Sequence, residues 1–138
     1  MWINRDIFLA IPIQINLHGY GHEDTWVGLQ LFERNIKIEQ IENPVFHVGL
    51  DTSEQFLEKS LSGIQNLVLL YKSGNAGNGV KLISVFDRLK QLGLLRITQW
   101  FISMKLTEIE NNLNSNHPNL IKFDEWKLYH FIRFFRIG

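Results

Sequence analysis

The sequence predicts an α+β chain that is mainly helical, with one small strand pair followed by three to four helices. Apolar residues recur at steps of three and four through most of the chain after position 52, as on the buried faces of helices. Ile36-Lys37-Ile38-Glu39 instead alternates at period two, and Val45-Phe46-His47-Val48 is a second strand candidate. Glu42-Asn43-Pro44 separates them, because proline fixes its own φ and has no N–H for a ladder.

Taken in order, a helix is expected between Glu23 and Arg34, with Val27 and Leu31 on one side and its end near Asn35. The strand pair, 36–41 and 44–48, follows. Asp51-Thr52-Ser53-Glu54-Gln55 then opens a second helix, since Thr52 and Gln55 have capping-box spacing. That helix aligns Leu57, Leu61, Ile64, Val68 and Tyr71, and stops in the Ser73–Gly79 loop, whose glycines and asparagines tolerate positive φ. Val80, Ile83, Phe86 and Leu89 form the next apolar face, with Gly93 as its terminator. Leu95, Ile102, Leu106, Ile109 and Leu113 fit one long helix reaching Asn114. After a turn at Asn116-His117-Pro118, a last helix runs from about Asp124 to Ile137. There Lys127, His130, Arg133 and Arg136 recur at steps of three among aromatics, which suits core packing with a solvated basic edge better than a membrane-surface helix.

At 138 residues the chain is the size of one domain. Fourteen basic and fourteen acidic residues balance, so no overall field favours nucleic acid as a partner. The absence of cysteine excludes disulfides and thiolate metal sites and fits a reducing compartment. No apolar run approaches the ~18 residues of a spanning helix, and the segment Phe8–Ile13 lacks the features of a signal peptide. A cytoplasmic chain is expected on these grounds.

The densest polar cluster is His18-Gly19-Tyr20-Gly21-His22-Glu23-Asp24-Thr25. Its glycines permit a sharp turn close to a ligand, and its carboxylates fall where a helix dipole favours their ionised form. On residue type alone, capping explains the acids most simply. His18 and His22, spaced i, i+4, lack the His-Glu-x-x-His pattern of a zinc hydrolase. The Gly74–Gly79 loop lacks the Gly-Lys-Ser/Thr ending of a phosphate loop.

Gly19-Tyr20-Gly21-His22-Glu23-Asp24, followed by Gly28 and Leu31, resembles the glycine-aromatic-glycine-x-Glu-Asp motif of inverting family 2 glycosyltransferases of bacteria. Ile36–Ile38 and Asn43–Leu50 are similar to the strand pair after it, and Thr52, Phe56, Leu57, Lys59 and Leu67 to the next helix. Phe123-Asp124-Glu125-Trp126-Lys127-Leu128 is similar to an aromatic-Lys-Leu tail. The resemblance implies the carboxyl-terminal portion of a GT-A type fold, with 1–50 the acceptor-side catalytic segment and 51–138 a helical region. It implies Asp24 as the general base that takes the acceptor hydroxyl proton. Glu23, Gly19, Tyr20, Gly21 and His22 would bind the acceptor, and His47 would join a divalent cation, Mn or Mg, at the leaving diphosphate. Implied partners are a nucleotide-sugar and a glycan acceptor, with peripheral membrane contact through the last helix.

Two departures qualify that picture. Gln14 stands where relatives usually carry an acid, and no Asp-x-Asp occurs, residues 1–18 leaving no room for a nucleotide-binding half. The chain alone is therefore expected not to transfer sugar. Without that half, Phe8, Ile11 and Ile13 would form uncovered apolar surface, which favours a homo-oligomer. The alternative is a non-catalytic helical interaction or oligomerisation module derived from such an enzyme.

Overall fold

The computed structural model describes residues 3–11, 21, 23–39, 41–42, 44, 49, 51–74, 76 and 80–137. Among these the chain forms seven α-helices: α1 (Arg5–Leu9), α2 (Glu23–Glu33), α3 (Ser53–Lys72), α4 (Lys81–Gln91), α5 (Leu95–Ser103), α6 (Leu106–Leu113) and α7 (Leu120–Ile137).

The α+β class is overturned, because the described residues contain no strand. Residues 36–39 have no regular structure, and Lys37, Ile38 and Glu39 are exposed. The cause lies at the end of α2. Asn35 adopts a left-handed φ of 54°, Ile36 N–H donates to the Leu31 carbonyl at 2.9 Å, and Asn35 N–H to that of Phe32 at 3.0 Å. This pair of bonds is a Schellman cap. It commits the donor of half-buried Ile36 to the helix instead of a ladder. The partner candidate, 45–48, lies outside the described residues. A helical chain without a sheet among its described residues does not support a GT-A portion, and that expectation is withdrawn.

The helices otherwise follow their local signals. Thr52 and Gln55 form the reciprocal capping box at the start of α3. Positive φ at Gly74 and Gly93 ends α3 and α4, with Leu94 N–H closing the α4 cap on the Leu89 carbonyl. The single long helix expected from Leu95 to Asn114 is two, broken at Met104 and Lys105 where Lys105 N–H bonds back three residues to Ile102. The last helix starts four residues earlier than expected, because Asn119 Oδ1 accepts from Ile121 N–H at 2.8 Å and caps it.

Around α7 pack α3, α4, α5 and α6. The core joins Ile64 and Val68 of α3, Phe86 of α4, Ile109 of α6, and Trp126, Phe131 and Ile132 of α7. Phe86 lies 4.9 Å from both Phe131 and Phe135, edge to face, and Tyr71 joins Phe86 at 5.4 Å. Such contacts favour one packing over others, because a positive ring edge meets a negative face. Tyr71 donates its hydroxyl to Asp87; burial, then this bond, raises the phenol above its ordinary range.

The last helix is thus the hub of the bundle, and His130 lies inside it rather than in a basic stripe. Of the segment expected to be uncovered, Phe8 and Leu9 are exposed, Ile11 is buried, and Ile13 lies outside the described residues. Among the described residues no helix is long and apolar enough to cross a membrane.

Candidate functional site

Gly21 connects the polar motif to the bundle. Its φ of +107° lies where side chains are strained, and a Cβ there would come within 3.0 Å of the Gly63 Cα on α3. Two glycines thus let two backbones meet. Fully buried Asn66, one turn along α3, donates Nδ2–H to the Gly21 carbonyl at 3.0 Å. Buried amides require partners, so this bond fixes where the chain enters α2. Asp24, in the first turn of α2, follows three residues later and is exposed.

Gly21 and Asp24 border an open cavity of about 1240 Å³. α3 contributes Phe56, Ser60 and Gly63 to its wall, and α7 contributes Phe123 and Lys127. Phe56 and Phe123 face each other at 5.3 Å, tilted, and Phe123 stacks on Trp126 at 6.0 Å. At one rim Asp51 and Lys59 pair at 2.7 Å; at another Lys127 pairs with Asp124 at 2.7 Å. The hydrogen bond from Lys127 holds the Asp124 carboxyl below its usual range. Ligand pockets usually span about 300–1,000 Å³, so this cleft has room for more than one sugar ring. Aromatic faces can take the C–H side of a pyranose, while serine hydroxyls and carboxylates can bond its hydroxyls.

Of the residues expected to act, the structure brings Gly21 and Asp24 to this cleft. Glu23 begins α2, but its side chain lies outside the described residues, as do Gly19, Tyr20, His22 and His47. The expected proximity of Asp24 and His47 falls there too. Gly63, Asn66, Ser60 and Phe123 were not singled out as site residues. Gly63 had a legible signal, since a glycine inside a helix often marks the close approach of another part of the chain.

Among the described residues no three His, Asp or Glu side chains gather as a cation site would require. Asp24 and Asp51 share the cleft, but two carboxylates, one already tied to Lys59, fall short of the six or more ligands around magnesium or calcium. No step is therefore assigned to a metal. Comparison with family models, with curated proteins and with solved structures gave no match.

Proposed function

We propose that this chain is the acceptor-side portion of a nucleotide-sugar glycosyltransferase, with the cleft between α2, α3 and α7 holding the acceptor glycan and Asp24 serving as base. One observation carries the reading. The aspartate that the motif marks as base borders the same large cleft as an aromatic pair and Ser60, and Gly21 beside it is anchored on α3. In the reaction an acceptor hydroxyl oxygen attacks the donor's anomeric carbon. The bond from that carbon to the diphosphate oxygen breaks, and its electron pair leaves with the nucleoside diphosphate. Asp24 accepts the hydroxyl proton as the new C–O bond forms, because an unactivated alcohol is a poor nucleophile. The chain carries no Asp-x-Asp, so the donor-binding groups must come from elsewhere.

Joined to a donor-binding domain, the Asp24→Asn form should lose about 10²- to 10⁴-fold in transfer rate while folding normally, since the amide keeps the shape but takes no proton. An Asn form retaining most of the wild-type rate would reduce Asp24 to a helix-terminal residue.

A second reading, a non-catalytic helical interaction module, is favoured by Leu9, Phe32, Ile38 and Ile41, all large, apolar and exposed. Exposed apolar residues suit a partner where they lie side by side. Saccharide binding in the cleft separates the two readings.

A further inference from the structure

The outer face of α5 presents an apolar arc to solvent. At 100° per residue, Trp100, Met104, Ile97 and Phe101 fall within an arc of about 100°, while buried Ile102 points the other way. These four are 61, 57, 62 and 52% exposed. Single exposed apolar residues are ordinary, but four large ones side by side mark a docking surface.

The flanks of the arc are basic. Arg96 borders it on the Trp100 side. Lys105 borders it beside Phe101, its Nζ 5.0 Å from the ring centroid. From the end of α7, Arg136 donates Nη1–H to Gln99 Oε1 at 2.6 Å, and Arg96, Trp100 and Arg136 line one shallow groove of about 230 Å³. Between Arg88 and Thr107 the sequence holds four basic and no acidic residues, although the whole chain is neutral. Of these, Arg96 and Lys105 flank the arc, while Arg88 and Lys90 belong to α4.

We propose that the α5 face docks the chain on an anionic phospholipid surface. Trp100, Phe101, Ile97 and Met104 would enter the boundary between headgroups and acyl chains, and Arg96, Lys105 and Arg136 would bind lipid phosphates. Charge complementarity selects this occupant. An amphipathic helix with aromatic and aliphatic residues on one side and cations at its edges lies in the interfacial plane, and each cation there adds attraction to anionic lipid. A second copy docked on the same arc would bring no acidic residue from 88–107 to these cations. The groove between the two arginines suits a phosphate, which guanidinium groups bind bidentately. The proposal is independent of the acceptor reading of the cleft.

The test is cosedimentation of the whole chain with vesicles of phosphatidylglycerol and phosphatidylcholine, against phosphatidylcholine alone. Binding should require the anionic lipid and weaken as salt screens it. Replacing Trp100→Ser with Phe101→Ser should lower binding by roughly tenfold or more, from the lost apolar burial. Arg96→Gln and Lys105→Gln should each lower it about fivefold. All four side chains are exposed, so an unchanged circular dichroism spectrum establishes that the variants fold. Absence of binding to anionic vesicles, equal binding to phosphatidylcholine alone, or undiminished binding by the serine variant would overturn the proposal. A dimer lost in the serine variant, without vesicle binding, would assign the face to a second copy instead.

Discussion

His130 is a histidine in an apolar interior, ringed by Trp126 at 4.5 Å, Tyr129 at 5.1 Å and Phe134 at 6.0 Å. Among the described residues neither ring nitrogen has a hydrogen-bond partner, nor has the Trp126 indole N–H. Burial, and then the nearby Arg133 charge, push its pKa down to about 4 from 6.5. A folded pKa below the unfolded one means the unfolded chain takes up the proton first. Stability is then full above pH 6.5 and declines as the pH falls from 6.5 towards 4. The loss should be on the order of 2 kcal/mol, less than the full shift converts to, because the surroundings relax around a charge formed on a buried ring. His130→Leu should flatten that part of the stability–pH curve and leave Tm at pH 7 unchanged or higher, since it removes two unpaired buried nitrogens. Thermal melts at pH 7 and pH 4.5 measure this; equal pH sensitivity in both proteins would show that His130 is not the group responsible. The sequence lined His130 up with Lys127, Arg133 and Arg136, but constant steps of three drift around a helix. Between 127 and 136 the drift reaches about 180°, so such a series crosses from one face to another and cannot mark a single solvated edge.

At the scale of elements, signals that act within one helix were legible and those needing a partner were not. The α3 cap is local: Thr52 Oγ1 accepts from Gln55 N–H at 3.2 Å, and Gln55 Oε1 accepts from Thr52 N–H at 3.0 Å. Thr52→Ala should therefore cost about 1 kcal/mol, read as a lower urea midpoint at unchanged slope. A midpoint equal to that of wild type would mean the box adds nothing to the fold. Gly93 and Asn35 were legible as stops for the same reason, since each adopts positive φ at a helix end. The strand pair failed because period two in Ile36–Glu39 is a necessary sign of a ladder and not a sufficient one; the Schellman bond to Leu31 takes the first donor. The α5–α6 break was illegible because Leu95, Ile102, Leu106, Ile109 and Leu113 stay in phase in one helix or in two. Both pieces pack on α7, so burial alone preserves the spacing.

For the whole molecule, the candidate site was half legible. Asp24 and Gly21 stood out because glycines beside carboxylates are chemically distinctive over a short span. The opposite wall did not, because Phe123 lies 99 positions beyond Asp24, at the edge of the expected last helix. It becomes a wall when α7 packs on α3 and sets Phe123 against Phe56. The described wall of the cleft comes from α2, α3, α4, α6, α7 and the loops beside them. The central claim is that this cleft is a saccharide site, and amide-resolved NMR titration of the chain with a panel of oligosaccharides tests it most directly. At least one saccharide should shift the amides of Gly21, Asp24, Ser60, Gly63 and Phe123 together, and Phe123→Ala should abolish the response while the spectrum stays dispersed. Absence of any shift across the panel, or shifts confined to other faces of the bundle, would contradict the account.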